Sequence, residues 1–212
     1  TIDATKSSQM LSALMMIAPL HGKSRTILFP HGTVSKPFLN ISSQMMKEFS
    51  DDDDYACEIE EEKINIRAQY KRTSSFVYNV EPDATAASYF LTLPQIVGGS
   101  CEVHGIWEEM LQGDSGYSKI LRTMGAEVTL GSKGLLSSFV SNLAGGYYNF
   151  NDISDTFLTL AAVSPLLKSP LILSGIAHTR LQETDRVRAM AQELKKLGQE
   201  VQETNDSLKI IP

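Results

Sequence analysis

The chain has 212 residues, with 19 Lys and Arg against 25 Asp and Glu and a formal net charge of −6, which argues against nonspecific nucleic-acid binding. Its 42% hydrophobic and 21% charged residues are ordinary for a globular chain with a sizeable core. Cys57 and Cys101 have no metal-ligand spacing, residues 11–20 form an apolar run too short to span a bilayer, and no signal peptide is visible. A cytoplasmic protein with reduced thiols, no membrane association and no metal site is the expectation.

In chain order, a small-residue-rich apolar helix is expected over 7–20, a short strand over 25–29 and an amphipathic helix over 37–49. Two strand-like runs close this unit. The four acids Asp51 to Asp54 read as a solvated loop after the helix rather than a cation cage. Lys71-Arg72-Thr73-Ser74-Ser75 reads as an exposed turn. A boundary is expected near Asn79-Val80-Glu81-Pro82, where proline steers the preceding residue away from helix and the pattern restarts. The expected domains are therefore 1–79 and 80–212.

A second unit follows, with helices over 84–93 and 115–124 around a strand over 100–104. Gly145-Gly146-Tyr147-Tyr148 reads as a turn into a short strand that leads into a third unit. That unit has helices over 155–167 and 183–197 around a strand over 170–173. The second helices of these two units end alike, in Gly125-Ala126-Glu127-Val128 and Gly198-Gln199-Glu200-Val201, 73 residues apart. Asp83 and Asp155, ahead of the first helices, lie 72 residues apart. A fixed period marks repeated supersecondary units, here three of the form βαβαββ. The fold class is mixed α/β (α+β), with helices covering sheet faces.

The chemistry-bearing residues cluster at helix starts. Ser7-Ser8-Gln9 opens the first helix and Ser35-Lys36-Pro37-Phe38 the second, with Pro37 well placed in a first turn. Hydroxyls there either cap the helix or hold an oxyanion. Asp155 opens the first helix of the third unit, where an acid is an ordinary capping residue. Arg180-Leu181-Gln182-Glu183-Thr184-Asp185-Arg186 precedes an amphipathic helix. Glu183 and Arg186, three apart, share a face, and the guanidinium fork suits phosphate or carboxylate. Arg180, Arg186 and Arg188 form a local basic cluster that outweighs a weak global field.

Six ordered motifs make the chain resemble the enolpyruvyl transferase family, and within it the EPSP synthases (3-phosphoshikimate 1-carboxyvinyltransferases). Ser7-Ser8-Gln9 with Leu11-Ser12-Ala13-Leu14 is similar to the family's Ser-Ser-Gln helix, and Ser35-Lys36-Pro37-Phe38 to its Ser-Lys-Pro-Tyr turn. Residues 80–90 resemble its Val-Glu-Gly-Asp-Ala segment, and Gln112-Gly113-Asp114 its Gln-Gly-Asp turn. Asp152-Ile153-Ser154-Asp155 resembles its Asp-x-x-Asp helix opening, and residues 180–186 its Arg-x-Lys-Glu-Thr-Asp-Arg.

The resemblance implies a two-lobed inside-out α/β barrel of six βαβαββ units with the active site in the cleft. Three of those units are present: 1–79 would be the last unit of one lobe and 80–212 the first two of the other. It implies transfer of the enolpyruvyl group of phosphoenolpyruvate to the 5-hydroxyl of shikimate 3-phosphate by addition and elimination, a step of aromatic amino acid biosynthesis, with no metal or organic cofactor. Ser7, Ser8, Gln9, Ser35, Asp155, His178 and Gln182 would bind shikimate 3-phosphate. Gln9, Glu183 and Arg186 would bind phosphoenolpyruvate, and Asp155 and Glu183 would be the catalytic base and acid.

Three residues depart from the family pattern: Gln182 stands for a common lysine, Phe38 for tyrosine and His178 for asparagine. Full members are about twice this length, so the chain reads as an internal fragment with half a site, inactive in isolation, of a monomeric enzyme. Two alternatives stand beside this reading. UDP-N-acetylglucosamine enolpyruvyl transferase uses a loop cysteine, whereas Cys57 and Cys101 fall in unit-closing and strand contexts. A non-catalytic phosphate-binding relic is motivated by Gln182 and the length.

Overall fold

The computed structural model describes residues 1–50, 55–67, 70, 75 and 77–212. The Asp51 to Asp54 run and residues 71–74 of the expected turn lie outside the described residues. The chain divides into two compact bodies, Thr1–Val80 and Glu81–Pro212.

The first body is built from α1 (Gln9–Ile17), β1 (Arg25–Leu28), α2 (Pro37–Glu48), β2 (Ala56–Ile59) and β3 (Lys63–Arg67). The expected helix over 7–20 ends early because Pro19 has no N–H to continue it. The chain tightens into a 3-10 turn over Ala18–His21 and stops at left-handed Gly22. The three strands pair antiparallel in the order β1-β3-β2. Ile64 and Ile66, two apart on the central strand, point to one face. Leu11 and Met15, four apart on α1, and Leu39 and Met46, seven apart on α2, cover that face in one buried cluster. The strand expected ahead of α1 is reduced to a single parallel bridge, Ala4 to Thr33, with an Ile2 N–H to Leu28 carbonyl bond of 2.8 Å.

The second body holds two units. The first has α3 (Ala84–Thr92), the short α4 (Pro94–Val97), β4 (Ser100–His104), α5 (Tyr117–Thr123), β5 (Glu127–Leu130) and β6 (Gly134–Ser138). Its sheet is antiparallel in the order β4-β6-β5, and among the described residues no strand leads into α3. The second has β7 (Gly146–Asn149), α6 (Phe157–Val163), β8 (Leu171–Ser174), α7 (Arg186–Lys196), β9 (Glu200–Glu203) and β10 (Ser207–Ile211). Its sheet runs β7-β8-β10-β9, and β7 pairs parallel with β8. The full βαβαββ pattern is therefore complete in this last unit alone among the described residues.

Helix boundaries shift for local reasons. Residues 113–116 form a 3-10 turn before α5. Pro165 converts the end of the expected 155–167 helix into another over Ser164–Leu166. The helix expected from 183 begins at Arg186, capped by Asp185. The matching glycine stops are real: Gly125 and Gly198 both have positive φ. Each donates to the carbonyl three residues back while the next residue donates five back, giving the same doubly bonded stop after α5 and α7. The core joins the two units, with Leu171 and Leu173 on β8, Leu208 and Ile210 on β10, and Val187, Ala191 and Leu194 on α7. A buried hydroxyl pair, Ser88 on α3 and Thr159 on α6 at 2.8 Å, ties the first helices together. Among the described residues no helix is long and apolar enough to cross a membrane.

Candidate functional site

In the first body the starts of α1 and α2 lie side by side. Thr33 Oγ1 donates to the Ala4 carbonyl at 3.0 Å, and the buried Ser8 Oγ donates to the Ser35 carbonyl at 3.4 Å. Ser8 occupies the capping position of α1 without a side-chain cap bond, and the position before α2 belongs to Lys36, not Ser35. Simple capping therefore does not account for either serine. Ser7 does act locally, its Oγ accepting from the Gln9 N–H at 3.2 Å. Ser35 has φ +54, a region L-residues seldom occupy. Gln9 is exposed beside these hydroxyls. Two adjacent helix starts with hydroxyls between them form a donor-rich edge suited to an oxyanion.

In the second body the decisive residue is Arg186, at the first position of α7. Its Nη1 bonds Asp155 Oδ1 at 2.6 Å and its Nη2 bonds Glu183 Oε1 at 2.8 Å. Both expected catalytic carboxylates are thus held on one guanidinium. The Asp155 contact was not readable from spacing, since 31 residues separate the partners. Asp155 does not cap α6, which starts after Thr156. The Arg186 bond holds the Glu183 carboxyl below its ordinary range. Burial works against the charge on Arg186, but bonds to Glu183 and Asp155 outweigh it and raise its pKa. Glu183 keeps 75% of its side chain exposed, whereas Asp155 keeps 32%.

His178 lies in the 3-10 turn Ala177–Leu181, buried, with Nε2 2.9 Å from Ser154 Oγ, next to Asp155. Burial lowers its pKa, and Asp155 and Asp206 oppose that shift. Gln182 is exposed just after this turn. Arg180 does not join Arg186 in a basic cluster. Its fork is occupied by Asp185, Glu203 and the carbonyls of Thr204 and Asn205.

Asp114 carries no role in the sequence reading, yet it sits in the same body, bonded to Thr85 on the first turn of α3. Burial raises its pKa, and Asp155 and Asp83 add to the effect. The Gln112-Gly113-Asp114 motif was the visible signal, but a turn motif does not by itself reveal which charges surround it. Around it, side chains fill several N–H groups. Asp83 accepts from Ala86 N and Gln112 Oε1 from Ala84 N, both at 2.9 Å, while Glu81 accepts from Leu111 N and Gln112 N.

A family profile described as EPSP synthase (3-phosphoshikimate 1-carboxyvinyltransferase) matches residues 1–212. The 3-phosphoshikimate 1-carboxyvinyltransferase of Opitutus terrae is 43% identical over 213 residues, covering 100% of this chain and 46% of that protein. That of Buchnera aphidicola subsp. Baizongia pistaciae is 37% identical, covering 97% of this chain and 47% of that protein. The chain spans about half the length of the curated relatives it matches. Among solved structures, an EPSP synthase from Acinetobacter baumannii superposes with a TM-score of 0.75 at 21% identity, over 98% of this chain and 47% of that one. The enolpyruvyl transferase NikO from Streptomyces tendae gives 0.65 at 15% identity, over 94% and 46%. Both share the fold. The curated names favour the shikimate branch over the UDP-N-acetylglucosamine branch, and Cys57 and Cys101 lie in β2 and β4 rather than on loops.

Proposed function

The chain belongs to the EPSP synthase family, and from that premise we propose that it carries part of a site transferring the enolpyruvyl group of phosphoenolpyruvate to the 5-hydroxyl of shikimate 3-phosphate. The observation behind this reading is the Arg186 fork between Asp155 and Glu183. It puts an anion-holding cation between two carboxylates of unequal exposure, the parts an addition–elimination needs.

In the proposed steps Arg186 holds phosphoenolpyruvate. Asp155 takes the proton of the 5-hydroxyl as its oxygen bonds C2, and Glu183 delivers a proton to the C3 methylene. Glu183 then takes a proton back from C3 as the C2–O bond to phosphate breaks and the double bond returns, and the proton held by Asp155 leaves with the phosphate. An anion arriving at Arg186 Nη2 displaces the exposed Glu183. Glu183 then loses the bond that holds it ionised and moves toward the protonated form the addition step requires. In the first body, Gln9 is the proposed contact to phosphoenolpyruvate, and Ser7, Ser8, Gln9 and Ser35, with their helix starts, are the proposed contacts to shikimate 3-phosphate. In the second body, Asp155, His178 and Gln182 are the proposed contacts to shikimate 3-phosphate. No metal or organic cofactor enters these steps. The same reading makes the complete enzyme a cytoplasmic monomer.

The 212 residues hold one share of this site, and other parts of the family fold supply the rest. Calorimetric titration of shikimate 3-phosphate and phosphoenolpyruvate into the chain should show weak binding and no turnover. Micromolar binding with turnover by the chain alone would overturn the shared-site reading. Silence after complementation with the segments of a relative that this chain lacks would leave a phosphate-binding relic.

A further inference from the structure

The turn that joins β9 to β10 carries none of the residues discussed as ligands, yet it fastens the segment that does. Asp206, in that turn, accepts the Gly175 N–H on Oδ2 at 3.1 Å and the Ala177 N–H on Oδ1 at 2.9 Å. Its backbone carbonyl accepts the Ile176 N–H at 3.4 Å. Three successive backbone donors therefore close on one residue.

Three residues beyond the last of these donors, Arg180 reaches back to the same turn. Its Nε donates to the Asn205 carbonyl at 2.9 Å and its Nη2 to the Thr204 carbonyl at 2.5 Å. Nη2 also lies 3.3 Å from Glu203 Oε2. Its Nη1 binds both Asp185 carboxylate oxygens, at 3.1 and 2.9 Å. Asp185 in turn caps α7 through the Arg188 N–H at 2.9 Å. The turn bearing His178 and the helix start bearing Arg186 are thus pinned to one hairpin tip.

Ile176, His178 and Thr179 are buried, so polar anchoring matters most for the stretch that follows them into α7. A five-residue 3-10 turn has weak internal bonding. Leu181, Gln182, Glu183 and Thr184, which lead into α7, are all exposed. Gly175 is held as well: it has φ +74, and a Cβ there would meet Asn149 and the Asn151 N–H.

We propose that Arg180 and Asp206 are positioning residues of this site. Neither touches the ligand; together they set where His178 meets Ser154 and where Arg186 meets Asp155. The functional consequence rests on Arg186 being the phosphoenolpyruvate holder, whereas the geometric consequence does not. Arg180 uses all three nitrogens in different directions, so a lysine cannot replace it. An asparagine at 206 keeps one side-chain acceptor and the carbonyl, and should partly substitute.

The test is ¹⁵N NMR on the 212-residue chain, following the Arg186 Nε–Hε and His178 ring signals, with phosphoenolpyruvate as probe. In Arg180→Lys and Asp206→Ala, both signals should move toward those of free side chains while the amides of the β4-β6-β5 sheet stay in place. Asp206→Asn should show a smaller change. Phosphoenolpyruvate affinity should fall on the order of tenfold, about the effect of one misaligned hydrogen bond. Unmoved Arg186 and His178 signals would overturn the proposal, as would equal affinity in wild type and variants. If Arg180→Lys unfolds the chain, the Asp206 pair decides, because Asp206 is exposed. If wild type binds phosphoenolpyruvate too weakly to titrate, as a shared site predicts, the NMR shifts alone decide the positioning role, and the ligand reading is decided by the complemented enzyme.

Discussion

The starts of α3 and α6 occupy the same place in successive units, yet they use their acids in opposite ways. At α3, Asp83 accepts from the backbone of its own helix at 2.9 Å. Gln112 and Glu81 fill neighbouring N–H groups. Asp83 and Glu81 both close backbone bonds there, and Asp114 is taken up by the Thr85 hydroxyl, so this helix start is finished structure. At α6, the Asp155 carboxylate takes no backbone N–H among the described residues and binds Arg186 at 2.6 Å. A carboxylate bound to main chain is committed to the fold, because releasing it orphans an N–H. A carboxylate bound to a guanidinium that also holds an exposed Glu183 can be exchanged for a ligand anion. On the proposed reading, the same repeat position serves stability in one unit and reactivity in the next.

Substitutions at Arg186 should separate the two most strongly. Arg186→Ala removes the part-buried charge-assisted bond to Asp155, contributing about 1.5–3 kcal/mol, together with the exposed bond to Glu183. In the complemented enzyme we expect phosphoenolpyruvate affinity to fall by roughly 100-fold or more, at about 1.4 kcal/mol per factor of ten. Retained affinity in a titration would break the contrast, because Arg186 would then be as structural as Arg180. Next in size, Asp83→Ala should cost about 0.5–2 kcal/mol as a lost helix cap. Its urea midpoint should fall while ligand affinity stays. Asp155→Asn should do the reverse, with most of the turnover lost and a smaller change in the urea midpoint. Equal stability losses at 83 and 155 would erase the distinction.

Much of this architecture was legible because it depends on local rules. The helical spacing of Val187, Ala191 and Leu194 and the Gly125 and Gly198 stops each encode their own structure within a few residues. Helix ends were read less well where proline intervened, as at Pro19 and Pro165. In the site, Glu183 with Arg186 was visible as a three-residue spacing. Asp155 with Arg186, His178 with Ser154, and Arg180 with the hairpin tip were not, since each joins residues 24 or more apart. Arg180 shows the difficulty best. From sequence it was one more arginine in a basic cluster, and only the tertiary positions of Thr204, Asn205 and Asp185 reveal that its fork is already full.

Two titrations sharpen the comparison further, with smaller effects. Arg186→Gln should let the Glu183 carboxyl return toward its ordinary value of 4.5, visible by NMR of the side-chain carbon. An unmoved Glu183 would mean that Arg186 does not hold it ionised, and the proposed ligand-driven protonation would lose its basis.

The smallest effect concerns His178, buried beside Ser154. Burial holds its folded pKa below 6.5, so near that value the unfolded chain binds the proton more readily. Its contribution to stability is therefore fully present above about pH 6.5 and is lost as pH falls through the lower folded value. Urea unfolding between pH 5 and 8 should show stability declining on the acid side, and His178→Asn should flatten that decline without shifting the neutral-pH midpoint by much. An unchanged acid slope in the variant would place the titrating group elsewhere. It would also leave the His178–Ser154 bond as a neutral packing contact rather than a charge-sensitive support for Asp155.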